Sequence, residues 1–91
     1  MGLAKKHEFI WKYGGEKIIL TGGWDNWSGN KTIMNYDAEQ DVHRVTIVLD
    51  SQIDWQFKFI VDGIWRCSLD YPTVRDTMNN INNVMYAETN S

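Results

Sequence analysis

The chain holds five tryptophans, and two of them, Trp27 and Trp65, stand where packing does not call for an indole. Trp27 lies within GGWDNWSGNKT (22–32), flanked by Asn26 and Ser28, a poor setting for a buried anchor. Trp65 follows Asp62-Gly63, the strongest hairpin signal in the sequence. A two-residue loop there pairs Val61 with Ile64, Ile60 with Trp65 and Phe59 with Arg66. Phe57, Phe59 and Val61 make the better core-facing set. Trp65 therefore shares the opposite, more exposed face with Lys58 and Gln56. The same register sends Arg66 toward the core, so either the strand bends there or Arg66 sits at its end. An exposed indole beside an ammonium suits a sugar, whose C–H face packs on an aromatic plane while its hydroxyls take donors and acceptors. Asn79, Asn80, Asn82 and Asn83 could supply such groups, although Asn also serves turn geometry. The same platform could stack a nucleic-acid base or act as a hot spot for a protein partner.

Other chemistries find less support. A nucleophilic triad would have to use His7 or His43, the only two histidines, and both sit in strand-like runs. The candidate glycosidase carboxylates Asp25, Asp62, Asp70 and Asp76 occupy turn-type positions with no apolar surroundings in sequence to raise a pKa. The chain therefore reads as a non-enzyme without a cofactor. Cys67 is the only cysteine, so neither an internal disulfide nor a cysteine-based zinc site is available. Nine Lys and Arg against twelve Asp and Glu give a net charge of -3. That balance offers no pull toward nucleic acid or an anionic membrane. No apolar run is long enough to span a bilayer and no signal core opens the chain, so it reads as soluble and intracellular. Lys6 stands where a myristoylation pattern wants Ser or Thr. In that setting the sequons Asn26-Trp27-Ser28 and Asn30-Lys31-Thr32 read as unmodified asparagines.

Short alternating runs separated by turn chemistry must position these residues, which is an all-β pattern. In 7–13 Phe9 and Trp11 share one side. In 16–21 Ile18 and Leu20 point inward. A long loop over 22–32 leads to a short strand at 32–36. Val45, Ile47 and Leu49 alternate in 43–49, as do Trp55, Phe57, Phe59 and Val61 in 55–61. Residues 67–83 are polar and Asn-rich, and 84–88 read as the closing strand. About seven strands in 91 residues predict an immunoglobulin-like β-sandwich. Residues 8–88 form it, with 1–7 as an N-terminal extension and 89–91 as a tail. Trp11, Trp24 and Trp55 fall to the core or its margin.

The runs GGWDNWS (22–28), FKFIVDGIW (57–65) and YPTVRDTMNNINN (71–83) resemble the glycogen-binding domain of the β subunits of AMP-activated protein kinase, a family 48 carbohydrate-binding module. The resemblance covers about residues 8–88. It implies an early-set, immunoglobulin-like β-sandwich that binds linear α-1,4-glucan such as glycogen, starch or malto-oligosaccharides. The family's platform tryptophans fall on Trp27 and Trp65, its sugar-binding lysine on Lys58 and its hydroxyl-binding asparagine on Asn82. Its apolar residue against the glucan ring falls on Met78, and its threonine near the sugar on Asn80; both are departures in residue type. The resemblance also implies a cytoplasmic or nuclear regulatory subunit that meets kinase catalytic and regulatory subunits through regions outside this chain. A serine phosphorylated in animal members has no counterpart among Asn35, Tyr36 and Asp37. The competing expectation is a protein-interaction domain with little or no glucan binding.

Overall fold

A computed structural model describes residues 3–88. The proposed tail at 89–91, and Met1 and Gly2 of the proposed extension, lie outside the described residues. Among the described residues nine strands follow in order: β1 (Ala4–Trp11), β2 (Ile18–Gly22), β3 (Thr32–Ile33), β4 (Asn35–Asp37), β5 (Val42–Asp50), β6 (Trp55–Val61), β7 (Ile64–Arg66), β8 (Thr73–Arg75) and β9 (Ile81–Met85). A single turn of 3-10 helix, Gly23–Asp25, follows β2. The strands form two antiparallel sheets. One has the order β1-β5-β4; the other runs β3-β2-β6-β9-β8, with β7 also paired to β6.

Period-two alternation places one face of each long strand inside. Phe9 and Trp11 of β1, Ile18 and Leu20 of β2, Leu49 of β5, and Phe57 and Phe59 of β6 are buried together. Phe57 meets Phe9 edge-on at 5.0 Å between ring centroids and Phe59 edge-on at 5.8 Å, the arrangement that aromatic quadrupoles favour. Each such ring, fully buried, contributes about 1.5–3 kcal/mol of transfer free energy. Met34, buried between β3 and β4, marks where the chain crosses from one sheet to the other. The segment expected as one strand at 32–36 is therefore two short ones.

The aromatic margin closes the sandwich. Trp11 donates from Nε1 to Gly14 O at 2.8 Å, and Trp55 from Nε1 to Asp50 O at 2.9 Å, so each indole is packed and its polar handle satisfied. Half-buried Trp24 sits against Phe9, Phe57 and Trp55. These three are the tryptophans assigned to packing from sequence.

Three boundaries differ from expectation. The first strand begins at Ala4 and ends at Trp11, because Ala4–Trp11 pairs continuously with β5, from Ala4↔Asp50 to Trp11↔His43. Thr73–Arg75 is a strand that the sequence reading left within a polar stretch. The last strand spans Ile81–Met85 and not 84–88. Its asparagines are drawn into the sheet by bonds to residues distant in sequence: Asn83, wholly buried, donates from Nδ2 to Ser68 O at 2.9 Å and accepts the Ser68 N–H at 2.7 Å. A buried amide with its donors and acceptor engaged costs little to bury.

Candidate functional site

The outward face of β6 carries Gln56, Lys58 and Ile60. Along its far edge β6 is shared: β9 pairs from Trp55↔Met85 to Phe57↔Asn83, and β7 from Phe59↔Arg66 to Val61↔Ile64. Lys58 lies at the changeover, opposite Thr21 on the other side. Its ammonium makes no ion pair among the described residues. Trp65 pairs with Ile60, the register that the Asp62-Gly63 turn dictates. The indole is 48% exposed. Arg66 ends β7 and is exposed, which removes the conflict in that register: the strand stops before the guanidinium must enter the core.

The loop after β2 brings in Trp27. Thr21 donates from Oγ1 to Asp25 Oδ1 at 3.0 Å, Gly22 N–H reaches the same oxygen at 3.2 Å, and Gly29 N–H reaches Thr21 Oγ1 at 3.1 Å. Asp25, expected at a turn-type position without apolar surroundings, is buried and serves as the loop's internal clasp. Trp27 N–H donates to Gly22 O at 3.0 Å. Asn26 and Trp27 both take left-handed backbone, at φ 57° and 59°. For a bulky residue such a conformation costs about 1–3 kcal/mol and persists only where its surroundings impose it. The result is a half-buried indole presented beside the sheet face.

A third segment, between β8 and β9, is organised by Asp76. Its Oδ1 accepts the N–H of Met78 at 2.9 Å and of Asn80 at 2.9 Å; its Oδ2 lies 3.4 Å from Asn80 Nδ2 and 3.2 Å from Asn82 Nδ2. Asp76 N–H in turn donates to Asn80 O at 2.8 Å. The Asn80 and Met78 backbone donors, with the two side-chain amides, hold the Asp76 carboxyl below the usual carboxylate range despite some desolvation. Buried Asn82 also donates from Nδ2 to Gln56 Oε1 at 3.0 Å. Met78 is 80% exposed, an apolar side chain with no packing role.

The three segments meet. Trp27, Lys58, Trp65, Met78, Asn80 and Asn82, all six candidates, line one open cavity of about 420 Å³ together with Asp76. Its walls combine two indoles and a thioether with an ammonium, amides and one carboxylate, so it can cover an apolar ring face and engage hydroxyls at the edge. The sequence reading missed the supports: Asp76, Gln56, Thr21 and the inward turn of Asp25. An Asp in a polar, Asn-rich stretch, able to bond its own backbone two residues on, is the signal that was available for such a turn.

Four of the other groups weighed from sequence are engaged elsewhere. His43 is buried with Nε2 at 3.1 Å from Gly15 O. Asp62 accepts the N–H groups of Lys17 and Glu16, which hold its carboxyl below the usual range. Asp70 accepts the Tyr13 hydroxyl at 2.7 Å, and Cys67 Sγ reaches Ile81 O. Among the described residues no three His, Cys, Asp or Glu side chains gather as a metal-binding group.

A small two-sheet β-sandwich with an aromatic-flanked, hydroxyl-compatible groove on one outer face defines a binding module. Residues 6–91 match the family described as the glycogen recognition site of AMP-activated protein kinase, and the chain belongs to that family. It is 38% identical over 81 residues to the 5'-AMP-activated protein kinase subunit beta of Schizosaccharomyces pombe, covering 88% of this chain and 25% of that protein. It is 32% identical over 75 residues to the SNF1-related protein kinase regulatory subunit beta-2 of Arabidopsis thaliana, covering 82% and 25%. A further relative, the Cruciform DNA-recognizing protein 1 of Saccharomyces cerevisiae, is 35% identical over 70 residues, 76% of this chain and 15% of that protein. The chain thus spans about a quarter of the length of the two kinase subunits.

Proposed function

We propose that this chain is a non-catalytic α-1,4-glucan-binding module that docks a larger assembly, a kinase complex, onto glycogen in the cytoplasm. Trp27 and Trp65 stack on glucose units and Met78 covers a ring. Lys58, Asn80 and Asn82 exchange hydrogen bonds with the hydroxyls. The observation that carries this reading is the convergence of those six side chains, from three separate segments, on one cavity. Membership of a glycogen-recognition family supports it. The groove is open, so a flexible sugar buries only part of its surface, and the dissociation constant falls between about 1 mM and 1 μM.

Calorimetric titration with a seven-glucose malto-oligosaccharide tests the reading. Heat with those affinities, accompanied by a change in Trp fluorescence, is expected. No heat and no fluorescence change at millimolar sugar would sink it and leave the exposed indoles to a protein partner. Retention on single-stranded DNA that falls steeply with salt would instead mark a nucleic-acid platform.

A further inference from the structure

Among the described residues Asp76 is the one carboxylate lining a groove otherwise suited to a neutral ligand, and its own bonds suggest its part there. An ionised carboxylate accepts about four hydrogen bonds. Asp76 receives four from the chain, two from backbone N–H groups and two from side-chain amides. Little is left of it for a ligand. What it changes is the presentation of its neighbours. The Met78 and Asn80 amides bend the loop around Oδ1, setting both side chains on the cavity wall. Both N–H bonds of the Asn82 side chain are taken, one by Asp76 Oδ2 and one by Gln56 Oε1. The Asp76 carboxylate can only accept, so turning the amide over would set its oxygen against a carboxylate. The orientation is therefore fixed by chemistry, and the Asn82 carbonyl oxygen is the atom left to the groove. Continuing the Phe57↔Asn83 register by one residue brings Lys58 alongside Asn82. The groove thus presents a fixed acceptor next to a mobile donor, a pair that can engage a hydroxyl in both its roles.

We propose that Asp76 is a positioning residue of the glucan groove, holding Met78 and Asn80 on its wall and locking the Asn82 amide with its carbonyl oxygen toward the ligand. The proposal rests on the glucan reading for its ligand, but the hold on Asn82 exists in the free protein. Two measurements on this chain separate the two.

In the ligand-free protein, NMR of the Asn82 side-chain NH2 reads the lock directly. Slow exchange and distinct shifts are expected in the wild type, collapsing toward free-amide values in Asp76→Asn while the thermal midpoint shows a folded protein. An Asn82 amide unchanged in Asp76→Asn would overturn the proposal. Titration with the seven-glucose oligosaccharide gives the second measurement. Asp76→Asn should weaken binding about tenfold, and the same change made on top of Asn82→Ala should cost less than about threefold, because part of its route is already gone. Wild-type affinity in Asp76→Asn, or strictly multiplicative losses in the pair, would also overturn it. If Asp76→Asn does not fold, Asp76→Ser removes the carboxylate with a smaller side chain and should loosen the same amide; an undisturbed Asn82 there refutes the lock. A wild-type chain that takes no sugar but shows the protected amide refutes the glucan reading alone and supports the hold of Asp76 on Asn82.

Discussion

Gly29 stands so close to Trp65 that a Cβ added to it would fall 3.3 Å from the indole Cζ2 and 3.2 Å from Ile60 Cδ1. The loop that carries Trp27 is thereby seated on the strand that carries Trp65. A methyl there would need Ile60 or Trp65 to give by a few tenths of an ångström. Gly29 also has φ +72°, a conformation that L side chains resist.

Gly29→Ala should act on both counts. It forces the loop off Ile60 or tilts Trp65, and it strains the backbone. We expect a stability loss of about 1–2 kcal/mol together with at least about threefold weaker binding of the oligosaccharide. A urea melt and a calorimetric titration on the same sample check it. Unchanged affinity would show that the seating of the loop on Trp65 is irrelevant to the groove.

Function and stability should separate cleanly between two aromatic residues of the large sheet. Trp65 is about half exposed and Phe57 wholly buried. Trp65→Ala is expected to weaken glucan binding tenfold or more, equivalent to about 1.4 kcal/mol, with a small change in melting temperature. Phe57→Ala leaves a cavity between Phe9, Phe59 and Tyr71 and should cost about 3–5 kcal/mol, enough to unfold much of a domain this small. Binding that survives Trp65→Ala would remove that residue from the site and leave the glucan function standing.

The acid side of the stability profile should be set in part by Asp62 and Asp76. Backbone amides of Lys17 and Glu16 depress the carboxyl of Asp62, and those of Asn80 and Met78 that of Asp76. A group whose pKa is lower folded than unfolded binds fewer protons in the native state. Its stabilisation is present above the unfolded value near 3.9 and is lost as pH falls through the folded one. The urea midpoint should therefore hold from neutral pH to about 5 and decline below about 4. In Asp62→Asn the protein should be weaker at neutral pH and its acid decline shallower. An Asp62→Asn profile parallel to the wild type throughout would contradict the role of this carboxyl.

How far the sequence could be read depended on the range of the bonds involved. The Trp65–Ile60 pair follows from two residues, Asp62 and Gly63, because a two-residue turn fixes register locally. Alternation in 55–61 placed Phe57 and Phe59 inside for the same reason. Asn82 and Asn83 were left outside the closing strand, in the polar stretch 67–83, since nothing nearby in sequence reveals their partners: Asn83 reaches back to Ser68, Tyr71 and Pro72, and Asn82 to Gln56. Asp25 was read as a turn-type residue because its clasp to Thr21 and the Gly22 amide exists only once the loop folds over the sheet. Local propensity reported turns, and long-range hydrogen bonds made two of these asparagines strand residues. Within the groove, side chains that touch a ligand could be proposed from residue type and resemblance. The residues that aim them carry no composition signal beyond an Asp in a polar, Asn-rich stretch.

The backbone of Trp27 offers a test that separates strain from contact. An indole at φ 59° is held against its own steric preference, which disfavours the left-handed region by about 1–2 kcal/mol for any residue with a Cβ. Trp27→Ala and Trp27→Gly both delete the ring, so both should lose the same stacking and bind the oligosaccharide equally poorly. They differ in the strain that remains. At an ordinary position glycine would be the less stable of the two by about 0.5–1 kcal/mol, from its greater unfolded-state freedom. At residue 27 relief of the left-handed penalty outweighs that entropy, and Trp27→Gly should equal or exceed Trp27→Ala by up to about 1 kcal/mol. Paired denaturant melts decide it. A glycine variant clearly weaker than the alanine one would mean that the loop relaxes out of the left-handed conformation once the indole is gone. The ring's own contacts, and not the clasp of Thr21 and Asp25, would then be what holds Trp27 in place.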